Sequence, residues 1–284
     1  HPDERFLTMV ETAIQPVSSL KEYFDTGSSP LNPNNAGYTF YVYGTLPIFL
    51  VRYAAEAVNM TGYGQVYLVG RALSGIFDLL TVLLVFFLSF RLYRNYRLSL
   101  VAAGFIAFAV LPIQLSHYFT VDTFATFFTV LSIAFAVLIM TANREDSGLA
   151  QNSIEDDFQE EAPISFWKLD PTFGYYLLFG VAFGMALASK VSSAPVVLAL
   201  LVGCLVYYSR VPAFQRKRQS VFIWRNLVFA GITTLLVFRI FQPYAFEGPG
   251  FFNVIPNEKW LASLRELSQQ SSGNVDFPPA LQWA

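Results

Sequence analysis

Charge is what this chain has least of. Lys, Arg, Asp and Glu make up 13% of its 284 residues and the net charge is −2, which argues for no nucleic-acid partner. Cysteine is nearly absent. The single one, Cys204, lies inside an apolar run, so there is no disulfide framework and no cysteine metal site, and it reads as a small buried apolar side chain. In place of charge there is hydrophobic surface: 54% of residues are apolar and the mean hydropathy is +0.45. That is too apolar for a soluble domain and predicts an all-α integral membrane protein, a multi-span helical bundle. The start at His1 rather than Met, and the end at Trp283-Ala284 shortly after Pro278-Pro279, read as a fragment lacking sequence at both ends.

Residues 1–65 form a first non-spanning segment. Pro2 followed by Asp3 and Glu4 suits a helix start, because the missing N–H costs nothing there and the helix dipole favours carboxylates. Phe6, Met9, Val10, Ala13 and Ile14 follow at helical spacing and Pro16 ends the run. The same two carboxylates could instead take a proton from an alcohol or hold a cation, and both readings stay open. A loop dense in turn formers runs from Gly27 to Asn35, and the rings Tyr38, Phe40, Tyr41 and Tyr43 then precede Gly44, a cluster that suits a headgroup layer. Thr45 and Pro47 can open a second short helix, so the segment predicts amphipathic helices lying on the membrane surface.

Six spans are expected within residues 66–243. Val66–Phe90 comes first, with Arg71, Ser74, Asp78 and Thr81 along one face. An ionised group at mid-membrane costs on the order of 3 kcal/mol, so this stripe should face the bundle interior, as a structural seam or as a site. Val101–Leu115, interrupted by Pro112, then Phe124–Thr141, Phe173–Ser189, Val191–Tyr208 and Phe222–Gln242 complete the set. The stretch 142–171 holds seven carboxylates between Glu145 and Glu161 and reads as a flexible cytoplasmic linker. An even count puts residues 1–65 and 244–284, the start of a second extracytoplasmic segment, on one side. The Arg91–Arg97 turn carries three basic residues and Arg210–Arg218 four, against none at Leu115–Asp122, which agrees with the positive-inside rule.

That topology gathers Asp3, Glu4, His117, Asp122, Lys190 and Arg239 at the outer face. Carboxylates with separated cations are what a site needs to deprotonate an acceptor while neutralising a phosphate leaving group. Each also has a plain reading as a helix start, headgroup anchor or turn residue. His1, His117, Asp3, Glu4 and Asp122 could ligate a divalent metal, but no His/carboxylate pair stands at i, i+3 or i, i+4, so no metal or other cofactor is expected. A rival class is a secondary transporter with Arg71, Asp78 and Asp122 along an ion path; such proteins show internal repeats, and none is visible here.

The chain resembles the GT-C superfamily of integral-membrane glycosyltransferases, within it the dolichyl-phosphate-mannose protein mannosyltransferase and aminoarabinose transferase-like group. The resemblance runs over the whole chain and rests on pieces in order: Asp3-Glu4; Tyr43-Gly44-Thr45-Leu46-Pro47; Gly70-Arg71 with Asp78; Ser116-His117 through Val121-Asp122; Ala188-Ser189-Lys190; and Gln242-Pro243-Tyr244-Ala245-Phe246. It implies inverting transfer of a hexose or pentose from a polyprenyl (dolichyl-type) phosphate to an acceptor protein, lipid or glycan at the extracytoplasmic face of the cell membrane. Asp3 would be the base and Glu4 its assistant; Lys190, Arg239 and Arg71 would bind the donor phosphate; Tyr43, His117 and Asp122 would line the groove.

Overall fold

The computed structural model describes residues 2–142 and 170–272. His1, most of the expected acidic linker and residues 273–284 lie outside the described residues. Among the described residues the chain is all-helical, with one isolated bridge between Phe246 and Pro256.

The first polar segment holds three helices. α1 (Pro2–Ala13) starts at Pro2 with Asp3 and Glu4 in its first turn, and Gln15, held extended by Pro16, cannot continue it. Its apolar face buries Leu7 and Val10. α2 (Leu20–Tyr23) is capped by Ser19, whose hydroxyl accepts the Glu22 N–H. α3 (Thr45–Ala57) begins after Gly44 with no side-chain cap. Thr45 opens it as expected, with its hydroxyl turned to the Phe241 carbonyl at 2.5 Å and its N–H donating to Gln242 Oε1 at 2.6 Å. α1, α3 and the loop between them share a core of Leu7, Val10, Ile14, Leu31, Ile48 and Val51, capped by Phe119 and Tyr244 from far along the chain.

The apolar part is a helix bundle. α4 (Tyr63–Tyr93) runs 31 residues and ends where Arg94 turns left-handed at φ 53°. α5 (Tyr96–Ala107) is capped by Asn95, which accepts the Leu98 N–H, and meets α6 (Val110–Ser116) at a 59° bend. Pro112 explains the break, for its ring excludes the carbonyl four residues back, at Phe108. α7 (Val121–Thr141), α8 (Phe173–Ser189), a 3-10 turn (Val191–Val196) leading into α9 (Val197–Ser209), and α10 (Arg216–Phe241) follow. α8 sits centrally, packed on α7 and α10. Gly180 and Gly184 form its close face: a Cβ on Gly184 would stand 2.7 Å from Val237 Cβ and 2.8 Å from the Thr234 carbonyl. Small residues one turn apart let backbones approach where apolar solvent supplies no hydrophobic drive.

Four helices are long and apolar enough to cross a membrane, or five if the bent α5–α6 pair is one span. This is a membrane protein, and its outward side chains agree: Leu79, Leu83, Phe87, Phe105 and Phe108 are exposed. The expected six require the 17-residue α8 as well, at the lower limit of a crossing of roughly 17–25 residues. After α10 a short 3-10 turn (Pro243–Ala245) leads to α11 (Glu258–Ser271). The end of α10 and this second polar segment are bonded to the first: Tyr23 Oη donates to the Ile240 carbonyl at 2.7 Å, Thr26 Oγ1 to the Phe246 carbonyl at 2.8 Å, and Ser29 and Tyr244 share a hydroxyl bond of 2.8 Å.

Candidate active site

The two neighbouring carboxylates on α1 point to different partners. Glu4 is buried and receives a two-pronged contact from Arg71 of α4, Nε to Oε1 at 2.7 Å and Nη2 to Oε2 at 2.8 Å. The Phe119 N–H, at the entry to α7, donates to the same Oε1 at 3.0 Å. Burial pushes the Glu4 carboxyl up, but the Arg71 hydrogen bonds, the Phe119 amide and the Arg71 charge outweigh it and hold it below the ordinary value. Arg71 lies in turn between the Tyr67 and Tyr118 rings, 4.9 and 5.5 Å from their centroids. Glu4 and Arg71, expected as assistant base and phosphate ligand, are thus committed to each other as the clasp that docks α1 on the bundle.

Asp3 faces the other way. It is half-buried and lies near Tyr43, whose phenol is raised first by burial and then by Asp3 and the charge of Asp122. Asp122, in the first turn of α7, receives Lys190 Nζ at 2.6 Å, and both side chains remain partly exposed, 27% and 41%. The four residues come from α1, the loop before α3, the start of α7 and the end of α8. Gly44 shows how they are held together: its N–H donates to the Ser189 carbonyl at 3.0 Å, and a Cβ there would overlap the Ala188 carbonyl. Only glycine lets the Tyr43 backbone approach Lys190 this closely. Gly70 does the same for the clasp, since its Cβ would collide with the Phe119 ring.

The other expected site residues lie elsewhere. Arg239 is buried and spent on three carbonyls, Nε to Phe251 at 3.0 Å, Nη1 to Pro243 at 2.9 Å and Nη2 to Gly250 at 2.6 Å, within the rings of Phe24, Phe246 and Phe251. It ties the second polar segment to the end of α10 and stands buried there, apart from the Asp3 cluster's hydrogen bonds. His117 is exposed, with Nδ1 2.6 Å from the Ile113 carbonyl; together with Ser116 it neighbours Asp78. No group of three His, Cys, Asp or Glu side chains able to hold a metal occurs among the described residues.

Comparison with protein-family models, with curated proteins and with solved structures yields no match. The functional argument therefore rests on the geometry.

Two features escaped sequence reasoning. Gln242 accepts both the Thr45 N–H and hydroxyl; an amide closing an apolar helix was the available signal. Tyr67 stands four residues before Arg71, hence on its face of the helix, and could have been read as its ring partner.

Proposed function

We propose that the protein is a membrane glycosyltransferase that moves a sugar from a polyprenyl phosphate to an acceptor hydroxyl at the face carrying the two polar segments. One observation carries this reading: sequence pieces scattered from residue 3 to residue 242 converge on one partly open cluster with a carboxylate at one end and a carboxylate-held ammonium at the other.

In the proposed reaction Asp3 takes the acceptor proton as the acceptor oxygen bonds to the sugar's anomeric carbon. The bond from that carbon to the phosphate oxygen breaks, and its electron pair leaves with the lipid phosphate. Lys190 stabilises the growing phosphate charge, which is larger in the transition state than in the ground state. Asp122 orients the ammonium, whose remaining N–H groups are free to turn toward a phosphate because Lys acts as a compact point charge. Tyr43 stands beside the Asp3 carboxylate. Attack opposite the departing phosphate inverts the anomeric centre. In the transporter alternative Arg71 and Asp78 would line an ion path; Arg71 is here paired with Glu4.

Asp3→Asn should lower transfer from a polyprenyl-phosphate sugar by roughly 100-fold or more, the scale of a general base, without changing the unfolding temperature in detergent. Lys190→Ala should weaken donor binding as well as turnover. Wild-type turnover in Asp3→Asn would end the assignment.

A further inference from the structure

Where the two polar segments meet there is a pocket of about 290 Å³, sharing no residue with the Asp3 cluster and lined by Asn32, Asn34, Asn35, Asn257, Glu247 and Lys259. Its wall is fixed by carboxamides. Asn32 Nδ2 donates to the Thr26 carbonyl at 2.8 Å, and Asn35 Nδ2 to the Thr26 and Ser29 carbonyls at 3.1 and 3.0 Å. Asn257 Nδ2 donates to the Tyr244 carbonyl at 3.0 Å, while its Oδ1 accepts the Lys259 N–H at 3.0 Å. Gly248 closes the contact, since a Cβ there would stand 2.5 Å from the Thr26 nitrogen. Against this rigid wall stand two charged side chains. Glu247 and Lys259 are exposed, and among the described residues neither head group is engaged in a hydrogen bond or ion pair.

The charges select the ligand. A carboxylate beside the opening repels phosphate and carboxylate ligands, and an ammonium repels cations. Metal ions are further disfavoured because the Thr26 and Ser29 carbonyls already hold amide N–H groups. An apolar ligand would leave the lining unpaired, at a cost for each buried polar group. What remains is a neutral molecule rich in both donors and acceptors. A hydroxyl is both at once, so neighbouring hydroxyls of one ring can donate to Glu247 and accept from Lys259. The volume is at the small end of the roughly 300–1,000 Å³ range of ligand pockets, room for one sugar ring and not for a chain.

We propose that this pocket binds one sugar ring of a glycan acceptor. This deepens the reading above and rests on it for the ligand's role as acceptor. Methyl gluco-, manno- and galactopyranosides are titrated against the full chain in detergent, without donor, by saturation-transfer NMR. At least one should bind with a Kd on the order of millimolar. Glu247→Gln and Lys259→Gln should each weaken it about tenfold, the worth of one hydrogen bond to a charged group. Both positions are exposed, so the variants keep the wild-type unfolding temperature, and Asp3→Asn should bind the glycoside normally. The pocket assignment is overturned if no glycoside binds, if the two variants bind as tightly as wild type, or if calcium or inorganic phosphate competes for the site. Wild-type protein that binds glycoside but transfers no sugar from a polyprenyl phosphate would remove the transfer reading and leave a saccharide site; transfer without glycoside binding would remove the pocket alone.

Discussion

Two glutamates seven residues apart on α1 have opposite electrostatic fates. Glu4 is held below the ordinary carboxylate value and Glu11, fully buried with neither oxygen hydrogen-bonded among the described residues, is pushed well above it by desolvation, against the partial relief of the Arg52 charge. Linkage makes their effects on stability opposite in sign. Glu4 contributes above the unfolded value of about 4.3, and its contribution is lost as pH falls through the lower folded value. Glu11 is the reverse: neutral in the fold, it carries no penalty below about pH 4 and a growing one as pH rises toward its folded value. Glu11→Gln should therefore raise the unfolding temperature at pH 7–8 and leave it unchanged in acid. Glu4→Gln should lose about 1–2 kcal/mol at neutral pH, the worth of charged hydrogen bonds discounted because the Arg71 side chain is 40% exposed. Its unfolding should no longer respond to acid in the range where wild type weakens. Unfolding followed by intrinsic fluorescence across pH checks both.

At the scale of elements, Gly184 decides how closely α8 and α10 pack. Gly184→Val should cost about 1–3 kcal/mol by overpacking, whereas Gly104→Ala on α5, where nothing lies within 4 Å, should be neutral or stabilise by up to about 1 kcal/mol through helix propensity; calorimetry in detergent separates them. The local rules were legible in the sequence. Pro2 with Asp3 and Glu4 marked the start of α1, Pro16 its end, and Pro112 the break between α5 and α6, because each acts on its own few residues. What was not legible was long-range pairing. Nothing near Glu4 says that its partner stands 67 residues away, so Glu4 and Arg71 looked like two pieces of chemistry instead of one clasp. Arg239 looked like a free cation because the carbonyls that enclose it belong to an aperiodic loop. Lys190 and Asp122 were gathered by topology, but their contact depends on the extended backbone of Lys190 after α8, which no pattern announces.

For the whole molecule, the arrangement of polar segments at one end and basic turns at the other is a statement about sides. Single cysteines introduced at Asp25 and Phe252 should react with a membrane-impermeant maleimide from one side, and cysteines at Arg94 and Lys217 only from the other; reaction of Asp25 and Lys217 variants from the same side would overturn the arrangement. The native Cys204 is buried and gives little background. The bonds stitching the polar segments together span 196 to 220 residues of sequence, and this sets a clock on biogenesis. At about 5–20 residues per second, the ribosome takes some ~10–40 s to deliver Ile240, Gln242 and Tyr244 after residues 23–45 have emerged. Through that interval Thr45, Ser29 and Tyr23 lack their partners, and the Gly44 contact with Ser189 waits nearly as long. The first segment thus waits for its partners until α10 is made, and a nascent chain stalled before Arg239 carries Asp3, Tyr43, Asp122 and Lys190 without the Phe241 and Gln242 contacts that tie down Thr45.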